Sequence, residues 1–267
     1  MRNTKVFLNS EKVFNKIIEA SDLKKSDVVL EIGSGDGRLT RRIAPLVSKV
    51  YAVELDLNLL DASKVFLGEF KNIEYINQDI LSFEFPDDVN KIISNLPYAI
   101  SSPVTERIIN FLDNKKGSEA ILMYQKEFGE RMTAIPGIRD YSMLSVFVQY
   151  TSEPELVMHV SKSDFRPRPA VDSVVIKLKP KNRGIDQSFL SFARLLFQHK
   201  KKNLYSALMD SRMHLNVKNK DELREKMKSL DEKLLKTKVF FFNVDELMLI
   251  YDEVKRASLW PKGKSKL

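Results

Sequence analysis

The stretch Asp27-Val28-Val29-Leu30-Glu31-Ile32-Gly33-Ser34-Gly35-Asp36-Gly37 reads as a strand that runs into a glycine loop, and Arg38-Leu39-Thr40-Arg41-Arg42 after it begins a helix. The apolar run is short and β-branched, as strands are, and the alternating glycines let the backbone turn sharply and come close to a ligand. The same punctuation recurs downstream. Residues 50–53 close on Glu54-Leu55-Asp56, residues 73–76 on Gln78-Asp79, and residues 91–94 on Asn95-Leu96-Pro97-Tyr98, with helical patterns between them. Unbroken apolar strands that alternate with helices predict an α/β fold with a parallel sheet covered on both faces. Further strands are expected at residues 120–124, 146–150, 155–160 and 172–178, and a helix capped by Ser10 precedes the sheet, with Val13, Phe14, Ile17 and Ile18 along one face. Ligands of such sheets bind beyond the carboxyl ends of the strands, so Gly33, Glu54, Asp79 and Asn95 are expected to converge on one cleft.

The chemistry of that cleft is legible residue by residue. A dinucleotide-binding fingerprint requires its third glycine at the sixth position, where this chain has Arg38, which argues against an NAD oxidoreductase. With Glu31 two residues before Gly33, the loop resembles instead the first motif of S-adenosylmethionine-dependent methyltransferases. Glu54 at the second strand end is placed to accept ribose hydroxyls, and Asp79 at the third to accept from an adenine amine. Either acid alone serves as readily as a helix cap; acids at successive strand ends argue for a ligand. Asn95-Leu96-Pro97-Tyr98 resembles the N/D-P-P-Y type motif of enzymes that methylate exocyclic amines of nucleobases. The side-chain carbonyl of Asn95 and the backbone carbonyl of Leu96 or Pro97 can accept both hydrogens of such an amine and aim its lone pair, Pro97 stiffens the backbone, and Tyr98 offers a face for an extruded base. Catalysis of this kind is mostly positioning.

Outside the cleft, composition removes whole classes. Among 267 residues there is no cysteine, which excludes disulfides, thiolate metal sites and cysteine nucleophiles. His159, His199 and His214 lie far apart, so no metal site is expected. No apolar run reaches the roughly 18 residues that span a bilayer, and the start lacks a signal-peptide pattern, so a cytoplasmic protein with no membrane partner is expected. Charge is uneven: residues 1–180 hold 24 Lys+Arg against 25 Asp+Glu, whereas residues 181–267 hold 20 against 11. From residue 181 the chain turns polar and helical patterns dominate, with one strand-type run at residues 239–242. The expected organisation is a catalytic domain at 1–180 and a small basic helical RNA-binding domain at 181–267, in which Lys200, Lys201, Lys202 and Arg212 lie on a helical segment and hold phosphates.

Taken together, Val6-Phe7-Leu8-Asn9, the glycine loop, Glu54-Leu55-Asp56, Gln78-Asp79, Asn95-Leu96-Pro97-Tyr98-Ala99-Ile100-Ser101, Gln125-Lys126-Glu127, Phe165-Arg166-Pro167-Arg168-Pro169-Ala170-Val171-Asp172-Ser173 and Phe197-Gln198-His199-Lys200 resemble, in order and spacing, the small-subunit ribosomal RNA adenine N6,N6-dimethyltransferases of the kasugamycin-resistance type. The resemblance implies a Rossmann-like methyltransferase sheet and transfer of methyl groups from S-adenosylmethionine to two adjacent adenosines in a 3′-terminal hairpin of small-subunit rRNA, within a maturing ribosomal subunit, by a monomer. It implies cofactor contacts from Leu8, Gly33, Gly35, Glu54, Asp79 and Asn95, and stacking of Phe165 on the target base opposite Tyr98. Arg166 and Arg168, between prolines, suit an exposed loop that meets a base and its phosphates. The chain departs from the family at Thr4-Lys5-Val6, where a Gly-Gln and a polar or sulfur-bearing residue are usual, so Lys5 is expected to supply the arm's nearest phosphate contact. Two rival readings stay open on sequence grounds: a non-catalytic assembly factor that binds the subunit, and methylation of large-subunit rRNA.

Overall fold

The computed structural model describes residues 6–113 and 115–261. Lys5, the lysine-rich end and the Tyr98 side chain lie outside the described residues. The chain forms two compact units, one made of residues up to Glu130 with Thr151–Gly184, the other of Arg131–Tyr150 with Ile185 onward. The expected boundary at 180/181 thus has a counterpart at Gly184, but the segment Arg131–Tyr150, placed in the first domain on sequence grounds, belongs to the second unit.

In the first unit the strands are β1 (Phe7–Leu8), β2 (Val28–Ile32), β3 (Lys49–Val53), β4 (Ile73–Ile76), β5 (Lys91–Asn95), β6 (Glu119–Gln125), β7 (Ser152–Val160), β8 (Phe165–Arg166) and β9 (Ser173–Pro180). Seven of them make one sheet in the order β4-β3-β2-β5-β6-β9-β7, parallel from β4 to β6, with β9 antiparallel to both neighbours. The chain runs outward from β2 to β4 and then returns to β5 on the other side of β2, so the crevice of the order reversal opens between the carboxyl ends of β2 and β5. Register levels those ends: Ile32 pairs Val53 on one side and Ser94 on the other.

Helix α1 (Glu11–Ser21) packs Val13, Phe14 and Ile17 on a sheet face that carries Val29, Val50, Ile93, Ile121 and Val175; each such buried side chain contributes about 1.5–3 kcal/mol. Ser10 stands at its N-cap, but its side chain makes no capping bond, contrary to the expectation. The carboxyl end of α1 is tied down instead: Lys91 Nζ donates to Ser21 O (3.1 Å) and Glu119 Oε1 (2.7 Å), and Lys177 Nζ donates to Ala20 O (2.7 Å) and pairs with Glu119 Oε2 (2.9 Å). Cations at a helix carboxyl end are favoured by its unpaired carbonyls. After β2 come α2 (Thr40–Ile43), α3 (Leu57–Phe66), α4 (Ser101–Leu112) and α5 (Lys126–Thr133).

The second unit holds α6 (Met143–Thr151) up to Tyr150, α7 (Gln187–Phe197), α8 (Leu204–Asp210), α9 (Lys220–Met227), α10 (Glu232–Lys236) and α11 (Val244–Arg256). From α7 onward each helix is N-capped by an Asp or Asn side chain, namely Asp186, Asn203, Asn219, Asp231 and Asn243. Its core is aromatic, with Phe192 edge-on to Trp260 (5.3 Å) and Phe189 against Tyr150 (4.7 Å). Two expected strands are absent here. Residues 146–150 are helical within α6, and residues 239–241 form a short 3-10 turn. No helix among the described residues is long and apolar enough to cross a membrane.

Candidate functional site

The glycine loop extends the sheet before it leaves it: Gly33 N donates to Val53 O (2.8 Å) and Ser34 N to the same carbonyl (3.2 Å). Gly33 and Gly35 then adopt positive φ (71° and 57°), a region costly to residues with a side chain. Glu54, at the end of β3, grips the loop, accepting from Gly35 N at Oε2 (3.0 Å) and from Asp56 N at Oε1 (2.9 Å). A Cβ at Gly33 would lie 3.9 Å from Asn95 O and from Pro97 Cδ, which puts the Asn95-Leu96-Pro97 backbone across the crevice from the loop. That segment is anchored by Ser94 Oγ donating to Ile32 O (2.6 Å) and Leu96 N donating to Met123 O (3.2 Å), with Leu96 buried and Pro97 exposed.

The amino-terminal arm closes one side. β1 pairs antiparallel with β8, Leu8 opposite Phe165, and Asn9 N donates to Asp164 O (2.7 Å). A Cβ at Gly35 would lie 3.5 Å from the Phe7 ring. Arg38 fastens arm to loop, pairing its Nε with Asp36 Oδ2 (3.0 Å) and donating from Nη1 to Asn9 Oδ1 (3.1 Å). On the other side Asp79 is exposed beyond β4 and accepts from Leu81 N (2.9 Å). The turn it starts is held by Arg107 of α4, which donates to Leu81 O and to Phe83 O (2.5 Å) and lies over the Phe85 ring. Glu31 sits beneath the loop, wholly buried; burial pushes its carboxyl up to about 8, against a smaller opposing influence of the Thr40 hydroxyl, and the charges of Asp36 and Glu54 add to the rise. The buried Ser34 hydroxyl has no hydrogen-bond partner among the described residues.

One edge of the first unit therefore brings together Leu8, Gly33, Gly35, Glu54, Asp79 and Asn95 with Leu96 and Pro97. Phe165 departs from expectation: it is 1% exposed, packed under β1 with Leu8, and presents no open face. Pairing with a strand some 160 residues earlier, invisible in the local sequence, is what buries it. Arg166 and Arg168 are exposed, Arg166 donating to Ser163 O (3.2 Å) and Phe165 O (3.0 Å). In the second unit Lys200, Lys201 and Lys202 occupy a turn after α7 rather than a helix, and Arg212 opens a 3-10 turn. Lys200 Nζ donates to Arg139 O (2.9 Å) and Tyr141 O (2.7 Å), with burial lowering its pKa, and Lys202 pairs with Asp210 (2.6 Å). Lys201 is exposed. Sequence reading missed Arg38, Ser34 and Arg107 as site-shaping residues; nothing about an arginine in an amphipathic helix marks Arg107.

A family model for ribosomal RNA adenine dimethylase matches residues 2–238. The chain belongs to this family. Its relatives include proteins named probable ribosomal RNA small subunit methyltransferase A: that of Methanopyrus kandleri is 40% identical over 234 residues, 86% of this chain and 82% of that protein. That of Methanococcus maripaludis is 36% identical over 258 residues, 93% of this chain and 96% of that protein. Among solved structures, a dimethyladenosine transferase from Plasmodium falciparum has a TM-score of 0.84 at 27% identity, over 95% of this chain and 98% of that one. The 23S rRNA methyltransferase ErmE shares the fold, with a TM-score of 0.68 at 23% identity, over 93% of this chain and 99% of that one. Membership makes the chain an rRNA adenine dimethyltransferase with the Rossmann-like methyltransferase sheet, and the non-catalytic reading is not favoured.

Proposed function

We propose that the chain transfers methyl groups from S-adenosylmethionine to N6 of two adjacent adenosines in a 3′-terminal hairpin of small-subunit rRNA within a maturing subunit. The observation that carries the reading is the apposition of the Asn95-Leu96-Pro97 backbone to Gly33 across the crevice between β2 and β5. The residues suit the cofactor. Gly33 leaves space that a side chain would enter, Ser34 keeps a buried hydroxyl with no partner among the described residues, and Glu54, which holds the Gly35 and Asp56 amides, stands at the strand end suited to ribose hydroxyls. Leu8 and Asp79 complete the adenine side. When bound, the cofactor supplies a sulfonium-activated methyl group, so the protein needs no strong base.

What remains for the chain is positioning. Asn95 and the carbonyl of Leu96 or Pro97 accept the two amine hydrogens, which fixes the lone pair toward the crevice, and Tyr98 gives the extruded base a stacking face. Phe165 acts by holding Leu8 and β1 in place. Arg166, Arg168, Lys201 and Arg212 take phosphates; Lys200 and Lys202, already held by carbonyls and by Asp210, take smaller shares. The test is mass spectrometry of nucleosides from small subunits lacking adenine methylation, incubated with the protein and S-adenosylmethionine. N6,N6-dimethyladenosine is expected with the wild type and not with Asn95→Ala. Its absence with the wild type rules the proposal out.

A further inference from the structure

The second unit carries a surface that the methylation chemistry does not use. Three segments meet there: Ile135-Pro136-Gly137-Ile138-Arg139, the turn at residues 198–203, and the 3-10 turn Val239–Phe241. Main-chain bonds knit them, from Gly137 N to Phe240 O (2.8 Å), Phe240 N to Lys200 O (3.1 Å) and Val239 N to Lys202 O (3.0 Å). The Lys200 ammonium, drawn onto the carbonyls of Arg139 and Tyr141, braces the first segment against the second. On this frame Phe241 is 51% exposed, Ile135 64% and Ile138 43%. Phe240 and Phe241 lie ring against ring at 4.5 Å. Gly137, at φ 91°, sits directly beneath the outer ring, where a Cβ would come within 3.1 Å of two ring carbons. The loop thus supports an aromatic face that the fold leaves uncovered within its own unit.

Charge decides what such a face meets. Arg139, Lys201 and Lys238 are exposed around it and make no ion pair among the described residues. Of the acids near these segments, Asp210 is held by Lys202 (2.6 Å) and faces His199 (3.8 Å), while Asp140 follows Arg139 in the chain and is exposed. A lone exposed phenylalanine needs no explanation. An exposed aromatic ringed by cations has the chemistry of single-stranded nucleic acid recognition, since any base stacks on the ring and the flanking phosphates meet the cations. We infer that Phe241 is a stacking platform for an unpaired rRNA nucleotide, with Arg139, Lys201 and Lys238 on its flanking phosphates. The identity of the polymer rests on the rRNA-methylation reading.

The experiment measures binding of the full chain to a labelled oligouridine of about twelve nucleotides and to an RNA duplex of similar length, across a range of salt. Phe241→Ala should weaken oligouridine binding about tenfold, within the range of base stacking, and leave the salt slope unchanged. Phe241→Trp should bind at least as tightly as the wild type, Phe241→Leu as weakly as Phe241→Ala, and Lys238→Ala should flatten the salt slope by about one counterion. Duplex binding should be indifferent to Phe241. Unchanged oligouridine affinity in Phe241→Ala overturns the inference, and so does full affinity in Phe241→Leu, which would mark an apolar protein contact. Methylation of small subunits by the wild type is measured alongside: its failure removes the proposed reaction, while the oligouridine series still judges the platform.

Discussion

Alanine at Gly33 and at Gly37 should separate cofactor space from protein packing within one loop. Both glycines have positive φ, 71° and 84°, so either substitution costs about 1–2 kcal/mol of backbone strain. At Gly33 the added methyl meets nothing nearer than 3.9 Å, and the stability cost stops there. At Gly37 it would lie 2.5 Å from Ser63 Oγ and 2.9 Å from Leu67 Cδ1, both on fully buried residues at the end of α3. Overpacking of that kind adds about 1–3 kcal/mol, for a total of about 2–5 kcal/mol out of the roughly 5–15 kcal/mol that holds a domain folded. For the cofactor the ranking reverses: the Gly33 methyl projects toward the crevice that Asn95 and Pro97 border, and S-adenosylmethionine should bind more than about tenfold more weakly, a loss above about 1.4 kcal/mol. Folded Gly37→Ala should keep its affinity within about threefold. Urea unfolding and titration calorimetry on the two variants read both effects. Equal destabilisation of the two, or wild-type cofactor affinity in Gly33→Ala, would refute the placement of the cofactor against Gly33.

Asn95→Ala should abolish most single-turnover methyl transfer while rRNA affinity stays near that of the wild type, because positioning acts on the transition state and phosphates dominate binding; a retained rate would disprove amine orientation by Asn95. Arg107→Ala should cost about 2–3 kcal/mol of stability, the scale of bonds from a charged donor, and weaken the cofactor severalfold by loosening the Asp79 turn. Arg107→Lys should not restore it, since one ammonium cannot reproduce a guanidinium fork on two carbonyls; calorimetry showing full rescue would reduce Arg107 to a packing role. Glu31, with its carboxyl raised from 4.5 to about 8, keeps a proton in the folded state that the unfolded chain has lost. Its contribution to stability therefore falls as pH rises from about 4.5 to about 8 and is flat above, so the stability gained by Glu31→Gln over the wild type should grow across that window. A pH-independent difference in urea midpoints would mean that Glu31 is not protonated at neutral pH.

What could be read from the sequence was whatever the local backbone decides. The strand and loop positions of Gly33, Glu54, Asp79 and Asn95 all follow from short runs, and the sheet places them on one edge. Residues 146–150 read as a strand because Val146, Val148 and Tyr150 are all buried, Val146 and Tyr150 in the second unit's core, so α6 shows no exposed polar face to reveal its period. Membership of Arg131–Tyr150 in that unit is likewise set by packing partners beyond residue 185, not by any composition shift. The deeper limit is that a sequence shows which groups are present but not which are already engaged. Phe165 reads as an exposed aromatic until Leu8 pairs beside it, and Lys200, Lys201 and Lys202 read as three equal cations until their partners are known. A cation that must first give up carbonyls or a carboxylate gains less from a phosphate than one that waits in water, so of the three it is Lys201 that should carry the phosphate contact, and counts of basic residues overstate the charge that the second unit can offer to RNA.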